Sequence, residues 1–104
     1  MKLLGKKLLF DYESGLQVIG EYQISGELLW EALNGPAKGS TGKETAHTAE
    51  VSPNLFFVNW VEASGTTVSQ VLDLEKMIVT SFVTFDTPQG RQSMLDKGTL
   101  SEVL

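Results

Sequence analysis

The chain has 104 residues, a net charge of −5 at pH 7 and no cysteine. A domain of this length can bury a core without disulfides or metal ions, and we expect residues 1–104 to form a single domain. The missing cysteines exclude a disulfide framework, a thiol nucleophile and cysteine metal ligands. The acidic balance argues against nucleic-acid binding, because contacts with phosphates need a basic surface.

The N-terminal segment MKLLGKKLLF is not predicted to be a signal peptide, because Gly5, Lys6 and Lys7 interrupt its apolar residues. No run of the sequence approaches the ~18 apolar residues of a membrane-spanning helix. We therefore expect a soluble, cytoplasmic protein that has no membrane partner.

The first predicted elements are two strands joined by a tight turn. Leu8, Phe10 and Tyr12 share one face of the first strand, and the second strand continues an apolar face as far as Ile24. This alternation predicts an antiparallel hairpin with one buried face. Gly15 ends the turn, since it can take the positive φ that a three-residue bulged turn requires.

Five further strands are predicted along the chain. The segment NGPAKGSTGKE, residues 34–44, is predicted to be a mobile loop because glycine and proline interrupt it repeatedly. The tail, residues 87–104, is compatible with a last strand or with a short helix. The five strands are predicted over residues 27–33, 44–51, 55–62, 66–73 and 77–85.

Seven or eight short strands at this spacing are typical of a β-sandwich or a β-barrel. Consecutive short hairpins favour a meandering sheet over a Greek key. The predicted fold class is therefore all-β, a small antiparallel up-and-down barrel of seven to eight strands.

The fifth and sixth predicted strands carry the candidate site. With their turn in ASG, Trp60 lies opposite Val68 and Val58 opposite Gln70, while Glu62 ends the same face. A packed core would avoid Gln70 and Glu62, because unpartnered buried polar groups cost free energy. An apolar wall with a few polar groups is typical of a ligand cavity. The alternatives are that Glu62 is an exposed carboxylate at a strand end and that the opposite face is the inner one.

Glu62 is the candidate polar anchor, because an apolar cavity would raise the pKa of its carboxyl and make it a base or a hydrogen-bond acceptor. Tyr12 could hydrogen-bond to Glu62, since each directly precedes an x-Ser-Gly turn; a purely structural tyrosine is equally compatible. The lone His47 cannot form a zinc site, and no metal or organic cofactor is predicted. The predicted cavity lining comprises Phe10, Tyr12, Tyr22, Trp30, Val58, Trp60, Glu62, Val68 and Gln70.

The opposite face of the same hairpin is too apolar for a fully solvated surface. It includes Phe57 and Val61, which we expect to pack against the tail or against a second subunit. A homodimer is the preferred interpretation.

Two stretches of the sequence, LLFDYESGLQVIGEYQ and LFFVNWVEASGTTVSQVLDLEKMIVTSFVTF, together resemble the MoaF-like domain family over residues 5–86. The resemblance implies a lipocalin-like, calycin-type barrel with a ligand cavity, and it implies no defined activity. The matching pattern consists of Tyr12, Ser14, Gly15, Trp60, Glu62, Gly65, Thr66 and Asp73.

The same motifs are similar to those of bacterial phenolic acid decarboxylases, which share the barrel. That resemblance implies a pair of tyrosines on the first strand that holds a substrate carboxylate, a glutamate that acts on the phenol, and an assisting arginine. In this sequence Tyr12 and Glu62 match, but Phe10 stands in place of the second tyrosine and residues 34–48 contain no arginine.

The leading hypothesis is therefore a protein that binds an apolar or aromatic small molecule. One alternative is an acid–base enzyme on the same barrel, with Glu62 and Tyr12 as its catalytic residues. The other is a homo-oligomeric interaction module that binds no ligand.

Overall fold

The computed structural model describes residues 2–104, which form one antiparallel sheet of nine strands. The strands are β1 (Lys6–Tyr12), β2 (Gln17–Tyr22), β3 (Glu27–Ala32), β4 (Thr41–Thr45), β5 (His47–Ser52), β6 (Leu55–Val61), β7 (Thr67–Asp73), β8 (Ile78–Thr87) and β9 (Gly90–Glu102).

The sheet curls into a nearly closed barrel with the strand order β4-β3-β2-β1-β9-β8-β7-β6-β5. Each strand pairs with its neighbours in sequence, except that β1 pairs with β9 and that β4 does not pair with β5. The two edge strands meet at Ala46, and β4 contacts β6 across the remaining gap. The barrel is therefore a meander whose first and last strands pair with each other, while the edge strands β4 and β5 leave it incompletely closed.

The predicted all-β antiparallel fold is confirmed, but the predicted count of seven to eight strands is wrong, because the sheet has nine. The loop predicted over residues 34–44 ends at Thr41, where β4 begins and pairs with β3. The single strand predicted over residues 44–51 is divided at Ala46 into β4 and β5. Strand β4 is not predicted in full from the sequence because Gly42, which the Trp30 ring covers, stands where an apolar inner residue would be expected. The tail forms β9.

Three tight turns share one hydrogen-bonding pattern. In each, a glycine with φ between 90° and 96° donates its N–H to the carbonyl oxygen of the residue three positions earlier. The predicted role of Gly15 is thus confirmed, and Gly65 has the same role. The third such turn, at Gly26, corrects the prediction for Ile24: this residue lies in the turn, and its side chain is 76% exposed.

The core fills the barrel end at which β1 begins. Leu3, which precedes β1, and Leu74, which follows β7, are both almost fully buried and close this end. Fully burying one such side chain stabilises a fold by about 1.5–3 kcal/mol. The core also contains Leu8, Phe10, Tyr22, Leu28, Phe56, Val58, Trp60, Leu72, Val79 and Leu100.

The outer face of β6 exposes Phe57 by 38% and Val61 by 71%. The homodimer stays a prediction. Residues 2–104 contain no helix long and apolar enough to span a membrane.

Candidate functional site

An open pocket of about 180 Å³ lies at the barrel end opposite Leu3 and Leu74. Here β1 and β6 end, so their turns bring Tyr12 and Glu62 to the same end of the barrel. Seven of the nine residues predicted to line a cavity lie along this pocket: Phe10, Tyr12, Trp30, Trp60, Glu62, Val68 and Gln70.

The other two predicted lining residues, Tyr22 and Val58, do not reach the pocket. Their side chains are buried in the core, with 1% and 0% exposure respectively. The Tyr22 hydroxyl donates a 2.7 Å hydrogen bond to Oε1 of Gln70. Tyr22 therefore contacts the pocket only indirectly, by holding the Gln70 side chain that lines it. Val58 pairs with Gln70 across β6 and β7, and its side chain packs in the core.

Sequence reasoning missed seven further lining residues. Leu16 and Val18 lie on the apolar face of the first hairpin, so the alternation of that hairpin contained the signal. The contributions of β8 and β9 depend on the register of those strands, which pairs Gln70 with Ser81 and Ser81 with Asp96. The missed residues are Leu16, Val18, Leu28, Ser81, Val83, Met94 and Asp96.

Glu62 is half-buried at the rim of the pocket, at the end of β6. Its Oε2 accepts a 3.1 Å hydrogen bond from Nε1 of Trp60, two residues earlier on the same face. Desolvation raises the pKa of the Glu62 carboxyl; the bond from Trp60 opposes this rise, and the nearby Glu44 carboxylate adds to it. Glu62 is thus a carboxylate that is held in place but incompletely solvated.

The raised pKa of Glu62 predicts a pH-dependent stability. Well below its ordinary pKa of 4.5, the carboxyl is neutral in the folded and the unfolded chain alike. As the pH rises from that value through the higher folded pKa, the unfolded chain loses its proton first, and stability is lost. We expect Glu62→Gln to become progressively more stable relative to wild type across this window, as measured by urea unfolding at several pH values. A stability difference that does not vary with pH would contradict this.

Tyr12 does not form the predicted hydrogen bond to Glu62. Its hydroxyl instead forms a 2.7 Å hydrogen bond with Oγ of Ser81, because β1 and β8 lie on either side of β9 and both side chains are on the inner surface of the sheet. Burial raises the pKa of the Tyr12 phenol; Ser81 and Gln70 beside it oppose the rise, and the Asp96 carboxylate adds to it. Tyr12 therefore lines the pocket as a neutral phenol that already has a partner.

Trp30 covers the inner surface of β4. A Cβ atom built at Gly42 would collide with the indole ring of Trp30, so the ring lies directly over this glycine. The ring nitrogen Nε1 donates a 3.0 Å hydrogen bond to Oε2 of Glu44. Gly42 is thus the reason that Trp30 can lie flat against the wall.

We expect Gly42→Ala to displace the Trp30 ring and to break its bond to Glu44. The displacement should change the tryptophan emission spectrum and lower the free energy of unfolding by about 1–3 kcal/mol, as overpacking does. Thr41→Ala, at an exposed neighbouring position on the same strand, is the control and should leave the emission unchanged. An unchanged emission spectrum of Gly42→Ala would show that the ring does not lie over residue 42.

The charged groups of the pocket are acidic. Glu62 and Asp96 line it, and in the described part of the chain no Lys, Arg or His side chain does so. The single arginine of the sequence, Arg91, lies beside the β6–β7 turn, where it donates a 2.8 Å hydrogen bond to the Gly65 carbonyl and pairs with Asp86 at 3.3 Å. The arginine implied by the likeness to decarboxylases therefore does not line this pocket.

His47 lies on β5 with an exposed side chain and is not part of the pocket. Among residues 2–104, no cluster of three or more histidine, aspartate or glutamate side chains could hold a metal ion.

The fold has a close counterpart among solved structures. It matches the crystal structure of a "putative beta-lactamase from Burkholderia vietnamiensis" with a TM-score of 0.88 and 23% sequence identity. The match covers 99% of this chain and 97% of that chain. At this identity the likeness extends to the fold alone.

A comparison with curated proteins gave no match. The sequence does match the family described as MoaF-like, over residues 4–101, which is nearly the whole chain. This match includes every residue that lines the pocket. The chain belongs to the MoaF-like family.

Proposed function

We propose that the protein binds an apolar or aromatic small molecule in the pocket at the end of the barrel, with Glu62 as its polar anchor. The observation that carries this proposal is a half-buried carboxylate at the rim of a pocket whose walls are mainly apolar and aromatic. Ligand sites in proteins combine such walls with a few polar groups that fix orientation.

The other polar groups of the pocket already have partners. Tyr12 is paired with Ser81, Gln70 accepts from Tyr22, and Asp96 accepts a 2.6 Å hydrogen bond from Ser14. Glu62 differs, because only Oε2 is engaged; among the described residues none donates to Oε1. A ligand can therefore gain a hydrogen bond at Glu62 without breaking one within the protein.

Tryptophan fluorescence tests the proposal, since Trp30 and Trp60 are the only two tryptophans and both line the pocket. We expect a saturable change on titration with single-ring aromatic compounds. Val68→Phe should fill the pocket and weaken binding by at least about tenfold, the loss of ~1.4 kcal/mol. Val71→Phe, on the outer face of the same strand, is the matched control and should bind like wild type.

Two results would contradict the proposal. One is the absence of saturable binding to wild type across the panel of compounds. The other is equal binding by Val68→Phe and Val71→Phe, which would place the ligand outside the pocket.

The enzymatic alternative receives less support. It requires Glu62 and Tyr12 to act together on a substrate, whereas the Tyr12 hydroxyl is paired with Ser81 and Phe10 provides no second hydroxyl. The name of the structural neighbour does not favour lactam hydrolysis either. In β-lactamases, a Ser-x-x-Lys motif provides the serine nucleophile. The only such spacing in this sequence runs from Ser40 to Lys43 at the start of β4, and neither residue lines the pocket.

A further inference from the structure

The electrostatic character of the pocket narrows the class of ligand. Glu62 and Asp96 line the pocket, and the carboxylate of Glu44 accepts a hydrogen bond from the Trp30 ring, which also lines it. Within the described residues, no cationic side chain lines the pocket to offset these charges. An anionic ligand would therefore meet like charges in a partly desolvated site, where their repulsion is stronger than in water.

Glu62 has the geometry of an acceptor for a charged donor. Its Oε2 is fixed by the Trp60 indole, which orients the carboxylate at the rim, and its Oε1 is left without a donor from the described residues. Hydrogen bonds in which the donor or the acceptor is ionised are roughly twice as strong as those between neutral groups, and a positively charged donor adds Coulomb attraction to the carboxylate. A ligand with a positively charged N–H group would thus use this carboxylate best.

The aromatic wall suits a cation as well. Phe10, Tyr12, Trp30 and Trp60 all line the pocket, and tryptophan is the side chain whose ring face attracts a cation most strongly. Trp60 donates its ring N–H to Oε2 of Glu62, so the edge of this indole lies beside the carboxylate and an ammonium group at Oε1 would be close to the aromatic wall.

The volume limits the size of the ligand. The pocket measures about 180 Å³, and an apolar cavity of ~150 Å³ is sufficient to bind benzene. A single aromatic ring therefore fills most of the space, while the ammonium group remains near the rim. A steroid or a long acyl chain would extend beyond this space.

We propose that the ligand is a small primary amine with one aromatic ring, whose ring fills the apolar interior and whose ammonium group pairs with Glu62. This inference rests on the proposed function, since it specifies the ligand of the same pocket. It depends on the carboxylates of the pocket, on the free oxygen of Glu62 and on the aromatic wall beside it.

Three probes that carry the same phenyl ring on chains of similar length test the inference at pH 7 by calorimetry. They are 2-phenylethylamine, which is cationic; 2-phenylethanol, which is neutral; and 3-phenylpropionate, which is anionic. We expect the amine to bind about 10- to 100-fold more tightly than the alcohol, as a charged hydrogen bond would provide. The acid should bind more weakly than the alcohol.

Two variants locate the effect. Glu62→Gln keeps an acceptor for Trp60 but removes the charge, so it should bind the amine no more tightly than the alcohol. Glu75→Gln removes the same charge from an exposed residue of the β7–β8 turn and should retain the full preference of wild type. A urea-unfolding midpoint of Glu62→Gln that is no lower than that of wild type at pH 7 demonstrates that this variant is folded.

The outcomes separate this inference from the proposed function. If all three probes bind with equal affinity, or if the acid binds best, the inference is overturned while the binding pocket stands. If Glu62→Gln retains the preference for the amine, the pairing with Glu62 is overturned. If no probe binds to wild type, both the inference and the proposed function are overturned.

Discussion

Gly98→Ala is expected to lower the free energy of unfolding by about 3 kcal/mol, the upper end of the usual cost of overpacking. Gly98 lies on the inner face of β9, opposite Tyr12 of β1. An added methyl group would collide with the carbonyl oxygen of Asp11 and with Cα of Tyr12. Because these are backbone atoms, they cannot rotate away as a flexible side chain can, and the two strands must separate.

Urea and thermal unfolding measure this effect. For a domain of this size, a loss of 3 kcal/mol corresponds to a midpoint roughly 10–20 °C lower. Thr99→Ala is the control, since its exposed side chain lies on the opposite face of β9, and it should cost less than about 1 kcal/mol. A Gly98→Ala variant as stable as this control would show that β9 and β1 do not approach so closely.

Gly98→Ala should also change ligand binding in the pocket. Separation of β1 from β9 moves Tyr12, and the 2.7 Å hydrogen bond between Tyr12 and Ser81 spans those strands and β8. We therefore expect a soluble preparation of the variant to bind the aromatic probe less tightly, even though Gly98 does not line the pocket.

The two hairpins around Gly15 and Gly65 could be predicted because their signals are local. Strict alternation determines which face is buried, and glycine with positive φ determines the turn. The register predicted for the central hairpin, with Trp60 opposite Val68, is confirmed. The strand ends that carry Tyr12 and Glu62 follow from those turns.

What could not be predicted depends on contacts between distant strands. The role of Gly98 arises from β1, which is more than 80 positions earlier in the sequence. Strand β4 has no apolar alternation of its own because Trp30 covers Gly42. The partners of Tyr12 could not be assigned because the register of β9 decides whether Ser81 or another residue lies beside the phenol.

The second large effect concerns the hydrogen bond between Tyr22 and Gln70 beneath the pocket. Tyr22 is 1% and Gln70 5% exposed, and their hydrogen bond of 2.7 Å links β2 to β7 through the interior. Full burial raises the pKa of the Tyr22 phenol well above its ordinary value, so the hydroxyl remains a donor at neutral pH. Loss of either partner leaves a buried polar group without a hydrogen bond.

We expect Tyr22→Phe and Gln70→Leu each to destabilise the protein by about 2 kcal/mol, since leaving a buried donor or acceptor unpaired costs ~1–3 kcal/mol. The double variant leaves neither group unpaired. It should therefore be more stable than the sum of the single changes predicts, by about 1–3 kcal/mol in a double-mutant cycle measured by urea unfolding.

The pair Thr67 and Thr84 is the matched control for this cycle. Their hydroxyls form a 2.6 Å hydrogen bond between the adjacent strands β7 and β8, but on the outer face, where both side chains are only partly buried. Water can replace the lost partner there, so the coupling between two threonine-to-valine changes should stay below about 0.5 kcal/mol. Equal coupling free energies in the two cycles would mean that breaking the interior hydrogen bond costs no more than breaking the outer one. A large coupling only for Tyr22 and Gln70 would show that this buried bond beneath the pocket contributes to stability as the outer bond does not.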